Sequence, residues 1–72
     1  MSFGSNMRYI RVQKNITLPQ LAESLGVSAN YLSKLEQDKG KLKPEFLPKL
    51  AEALDIDMKD FYRTDLPAIF KR

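Results

Sequence analysis

Seventy-two residues with 12 Lys or Arg against 9 Asp or Glu make one small domain, too short for a separate catalytic unit and able to bury only about 60% of its unfolded surface. Cysteine and histidine are both absent, which removes disulfides, thiol nucleophiles, the common zinc sites and the usual imidazole base; an enzyme is disfavoured and no cofactor is expected. No apolar run spans a bilayer and no signal-peptide pattern appears, so the expectation is a soluble, cytoplasmic protein with no membrane partner.

The first helix is expected from about Phe3 to Lys14 after a Ser2 cap, with Phe3, Met7 and Ile10 on one face and Asn15 as a left-handed stop. Thr17 then stands three residues before Gln20, the spacing of a reciprocal cap, and Ile16 and Leu21 flank it as a hydrophobic staple. Leu18, Leu21, Ala22 and Leu25 recur at helical spacing until Gly26, the residue best suited to end a helix in the left-handed conformation. Ser28 restarts the chain at once, and Val27 staples to Leu32. Two helices separated by so short a turn must cross steeply, the layout of a helix-turn-helix DNA reader.

Helical projection of this third element turns Leu32 and Leu35 inward with Tyr31 at their flank, while Ala29, Asn30, Ser33, Lys34 and Gln37 fan over the other side. Such short polar groups suit a major groove: Asn pairs with adenine in two hydrogen bonds, Lys reaches guanine, and a serine hydroxyl reaches base edges or phosphate. A plain solvated helix face is the bland alternative. The charge distribution favours a polyanion, because residues 1–51 carry eight Lys or Arg against four Asp or Glu, whereas 52–65 carry two against five. Lys39, Lys41 and Lys43 follow the third helix in an exposed loop from Asp38 to Lys43.

A fourth helix uses Phe46, Leu47, Leu50, Ala51 and Leu54 as its stripe, with Pro44 and Pro48 tolerable only near the first turn. A short fifth follows an Asp57 cap with an Ile56 to Phe61 staple. Glu52, Asp55, Asp57 and Asp60 match no calcium loop, and a solvated acidic surface is the simpler reading, so no metal site is assigned.

The segments FGSNMRYIR, TLPQLAESLGVS, YLSKLE and FLPKLAEALDIDMKDFY together resemble the Cro/CI-type helix-turn-helix family, also called the xenobiotic-response-element family, and are similar to lambdoid phage repressor domains. The resemblance runs from Phe3 to Tyr62. It implies an all-α, compact five-helix lambda-repressor-like domain over residues 1–62, with helices two and three as the helix-turn-helix and 63–72 as a tail. It also implies double-stranded DNA as partner; a single small domain leaves no second one to bind a ligand, so no small-molecule ligand is expected. Residue by residue, it implies Thr17 and Gln20 near a phosphate, and Ser28, Ala29, Asn30, Ser33 and Lys34 at bases and flanking phosphates. Lys39, Lys41 and Lys43 fall where relatives touch backbone. Arg11 and Glu36, which by position alone are two exposed charges, are implied to pair across helices one and three. The chain departs from the family at Leu18 and Ala29, where Gln or a longer reader is common, and at Asp38, where glycine is common.

The function implied is a sequence-specific transcriptional regulator, most simply a repressor bound as a homodimer to a partly palindromic operator. The antitoxin half of a toxin–antitoxin pair, or a protein-interaction module that no longer meets DNA, are the alternatives. The tail holds Leu66, Ile69 and Phe70, and leaving such side chains exposed forgoes roughly 1.5 to 3 kcal/mol each. They dock on their own chain, lie in an unstructured end or, as the favoured reading, join Phe61 and Tyr62 at a twofold interface.

Overall fold

The computed structural model describes residues 2–66, and its helix boundaries follow from local chemistry. Ser2 Oγ accepts from the Ser5 amide while Ser5 Oγ accepts from the Ser2 amide; this reciprocal cap starts α1, Phe3–Gln13. Asn15 (φ 59°) then turns the chain. The expected Thr17–Gln20 cap opens α2, Leu18–Leu25, with Pro19 placed where its missing N–H costs nothing. Gly26 ends α2 at φ 69°, ψ 31°, and Ser28 Oγ accepts from the Tyr31 amide to start α3, Ala29–Glu36.

Pro44 and Glu45 form a turn ahead of α4, Phe46–Leu54, which puts Pro48 inside the first turn as required. The expected fifth helix is corrected in type. Met58–Tyr62 is a 3₁₀ helix, a geometry suited to so few residues after the Asp57 cap. Asp38 (φ 59°) and Asp55 (φ 55°) end α3 and α4 as Asn15 ends α1. Asn and Asp tolerate this conformation better than other residues with a Cβ.

One core gathers Met7 and Ile10 of α1, Leu21 of α2, Leu32 and Leu35 of α3, Leu50 and Leu54 of α4, then Phe61 and Leu66. α1 packs on α3 and on the 3₁₀ helix, while α2 packs on α3 and α4. Thus α3 is held from two sides. Asn6, buried in α1, donates from Nδ2 to the carbonyls of Phe61 (2.7 Å) and Arg63 (2.9 Å), fastening the end of the 3₁₀ helix to the first helix. Phe3 stacks obliquely on Phe61 at 5.1 Å. The guanidinium of Arg63 then grips Asp65 through two hydrogen bonds of 2.7 and 2.8 Å, which draws that carboxyl below the ordinary carboxylate range.

These contacts correct part of the expected twofold interface. Phe61 and Leu66 are fully buried in the chain's own core, because the Asn6 bonds and the Arg63–Asp65 fork lead the backbone inward. Tyr62 remains 63% exposed. Ile69 and Phe70 lie outside the described residues. Among the described residues no helix is long and apolar enough to cross a membrane.

Candidate nucleic-acid interface

With Leu32 and Leu35 committed to the core, the helical repeat turns Asn30, Lys34 and Gln37 to solvent. Ser33 is half-buried, and its Oγ accepts from Gln37 Nε2 at 3.0 Å, leaving the hydroxyl hydrogen to donate outward. Ala29 also lies half-buried and packs partly against the core, so only part of its methyl faces out. Ser28 is exposed, but its oxygen serves the α3 cap. The most available polar groups on this face are therefore the Asn30 amide and the Lys34 ammonium.

The basic loop is strapped to α3. Tyr31 Oη donates to the Lys41 carbonyl at 3.3 Å, and its ring meets Phe46 edge-on at 5.7 Å. Backbone bonds from Lys39 N (2.9 Å) and Gly40 N (3.3 Å) to the Lys34 carbonyl begin the loop from α3's own last turn. A shallow cavity of about 330 Å³ lies between Val27, Tyr31, Lys41, Lys43 and Phe46, so two of the lysines stand beside the helix. All three side chains, Lys39, Lys41 and Lys43, are exposed.

At the start of α2, Thr17 and Gln20 are exposed and bonded to each other, Thr17 N to Gln20 Oε1 at 2.9 Å and Gln20 N to Thr17 Oγ1 at 3.2 Å. Pro19 has no N–H. Among the described residues the Leu18 amide is thus the one first-turn donor of α2 left for an anion, joined by the Thr17 hydroxyl and the Gln20 Nε2.

The scaffold behind this face is charged and largely buried. Arg11 Nε donates to Glu36 Oε2 at 2.6 Å and its Nη2 to Oε1 at 3.3 Å, with the two side chains only 11% and 5% exposed. Arg11 Nη1 also reaches the Ile16 carbonyl at 2.7 Å, so one guanidinium ties α1, the entry to α2 and the end of α3 together. Two positions escaped sequence reasoning. Asp38 sends its carboxylate across to α1, accepting from the Gly4 amide (2.9 Å) and the Ser2 hydroxyl (2.5 Å). Gly4 permits this approach: a Cβ there would fall 2.5 and 2.6 Å from the carbonyl oxygens of Leu35 and Glu36. The Ser2 hydroxyl, and then the Gly4 amide, hold the Asp38 carboxyl below the usual carboxylate range. Its contribution is therefore present above that range and is lost as pH falls through the lowered value.

Comparison with known proteins bears on this arrangement. The profile of the helix-turn-helix family matches residues 7–61. The HTH-type transcriptional repressor RghR of Bacillus subtilis (strain 168) is 46% identical over 56 residues, 76% of this chain and 42% of that protein. The chain thus spans less than half the length of that relative. The clp gene regulator ClgR of C. glutamicum superposes with a TM-score of 0.79 at 35% identity, covering 83% of this chain and 78% of that one. The restriction-modification controller protein C.AhdI of Aeromonas hydrophila does so with 0.78 at 29% identity, covering 82% and 89%.

Proposed function

The chain belongs to the Cro/CI-type helix-turn-helix family of DNA-binding transcriptional regulators, and from that membership we propose that it represses transcription as a homodimer on a partly palindromic operator. The observation that supports this reading best is the outward face of α3. Asn30 and Lys34 project there, no carboxylate lies among Ala29, Asn30, Ser33 and Lys34, and a lysine loop is strapped alongside by Tyr31. An interaction module that had left DNA would have no need to keep that face free of acid.

In this reading Asn30 and Lys34 contact base edges, Ser33 and Ser28 serve bases or flanking phosphates, and Thr17, Gln20 and the loop lysines grip the backbone. The dimer places two copies of α3 one DNA turn apart, about 34 Å. Exposed Tyr62, stacked on Phe3 at 6.0 Å on the side of α1 that carries the 3₁₀ helix, offers its surface. The relatives that the chain resembles come from bacteria, whose DNA lies in the cytoplasm, and in this reading the protein works there.

Selection of bound sequences from random duplexes tests the proposal. Enrichment of an inverted repeat is the expected result, and recovery of no preferred sequence would overturn it. On the selected site, Asn30→Ala and Lys34→Ala are each expected to cost about 1 to 3 kcal/mol of binding and to relax preference at one position. Lys41→Ala is expected to weaken all duplexes alike and to lower the salt slope by about one. Equal loss of discrimination in all three variants would show that the contacts have been sorted wrongly.

A further inference from the structure

The C-terminal end of α3 is where base reading by Lys34 passes into the basic loop, and it is also where α3 meets the first turn of α1. Two independent features seat one on the other. Gly4 lacks a Cβ where the Leu35 and Glu36 carbonyls approach, and Asp38, held at φ 59°, bridges to Ser2 and Gly4 through both carboxylate oxygens. Between Lys34 and Lys43 the acids are Glu36, which is paired with Arg11, and Asp38, which stands next to Lys39, Lys41 and Lys43. A carboxylate left loose there would face the same polyanion as its neighbours. Its oxygens are instead engaged by the Ser2 hydroxyl and the Gly4 amide at the start of α1, the end of a helix that favours negative charge.

We propose that Asp38 is a positioning residue for DNA reading: it touches no DNA, but by locking the last turn of α3 onto α1 it fixes the register of Lys34 on the bases and of Lys39 and Lys41 on the backbone. The inference rests on the DNA-reading role assigned to α3. It goes beyond that role in placing part of the sequence discrimination on a carboxylate turned away from the nucleic acid. The mechanical route is short. Asp38 N donates to the Leu35 carbonyl, and the Lys34 carbonyl receives the amides that launch the loop, so a loosened Asp38 frees both the turn and the strand of lysines beyond it.

Two variants separate positioning from charge. Asp38→Gly keeps the left-handed backbone and removes both acceptors, whereas Asp38→Asn removes the charge and keeps one oxygen for the Gly4 amide. Affinity for the selected duplex and for a scrambled duplex is measured by titration across salt concentrations, at a temperature where circular dichroism shows each variant fully helical. Asp38→Gly is expected to lower the ratio of specific to scrambled affinity by roughly five- to tenfold, the scale of one weakened base contact, and Asp38→Asn to retain most of the ratio. If the two variants change the ratio equally, the effect is one of charge and the proposal fails. If Asp38→Gly lowers only the melting temperature and leaves the ratio intact, Asp38 is a helix cap and the proposal fails too. A wild-type chain that prefers neither duplex would instead refute the DNA-reading role of α3 on which the proposal stands.

Discussion

Glu36→Ala is expected to destabilise the domain by about 3 to 5 kcal/mol, because it strands the Arg11 guanidinium in a largely buried site without its anion. A chain of this length has roughly 4 to 11 kcal/mol of stability at the usual 0.05 to 0.15 per residue, so the loss removes a large share of the total. The remaining bond from Arg11 to the Ile16 carbonyl softens the penalty without replacing the charge. Replacing both partners with apolar residues, as in Arg11→Met with Glu36→Leu, is expected to recover most of the loss, since the desolvation of two ions then disappears with their attraction. Urea titrations of the two variants check the pair. A single-variant loss below about 1 kcal/mol, the range of a solvent-screened pair, would show that the bridge behaves as a surface contact.

Gly4→Ala is the second large effect, and its sign is the informative part. In an ordinary helix this exchange stabilises by about 0.5 to 1 kcal/mol through backbone entropy and propensity. Here the new methyl would lie 2.5 and 2.6 Å from two backbone oxygens at the end of α3, and 2.8 Å from an Asp38 carboxylate oxygen. Only the last of these belongs to a side chain that can swing away. Separation of α1 from α3 is the remaining way out, so a loss of about 2 to 3 kcal/mol is expected, the upper part of the range for overpacking. Thermal unfolding with an increased midpoint would show that α1 is not seated on α3 as described.

What was legible in the sequence was whatever is decided within one turn of chain. Thr17 and Gln20, Ser28 and Gly26 mark their helix ends by side-chain chemistry that acts over three or four residues, and the structure places each cap where that chemistry predicts. Asn15 could be foreseen for the same reason. Asp38 and Asp55 adopt the same left-handed backbone, yet each stands among charged residues where an aspartate also reads as a solvated surface group. Gly4 and Asn6 were invisible in a different way. Their roles exist only because segments 31 to 57 residues distant come to rest against them, and nothing in their own neighbourhood signals it. Leu66 went astray because its hydrophobicity demands burial without naming the surface, and the Asn6 bonds that steer it inward are themselves tertiary. The outward face of α3 lay between these cases. Helical periodicity predicts Asn30 and Lys34 as exposed, but the partial withdrawal of Ala29 and the use of Ser28 as a cap follow from packing.

The Asn6 bridge also sets an order of events during synthesis. Its partners, the carbonyls of Phe61 and Arg63, lie 55 and 57 residues downstream, so a ribosome adding about 5 to 20 residues per second needs roughly 3 to 11 seconds to deliver them. Throughout that interval α1, α2 and α3 can already meet, since Glu36 and Asp38 supply the partners of Arg11 and Gly4, while the core around Met7 and Phe61 stays open. An interrupted product would therefore carry the exposed face of α3 over an incomplete core. The core closes only when the stretch from Phe61 to Leu66 comes to rest on α1.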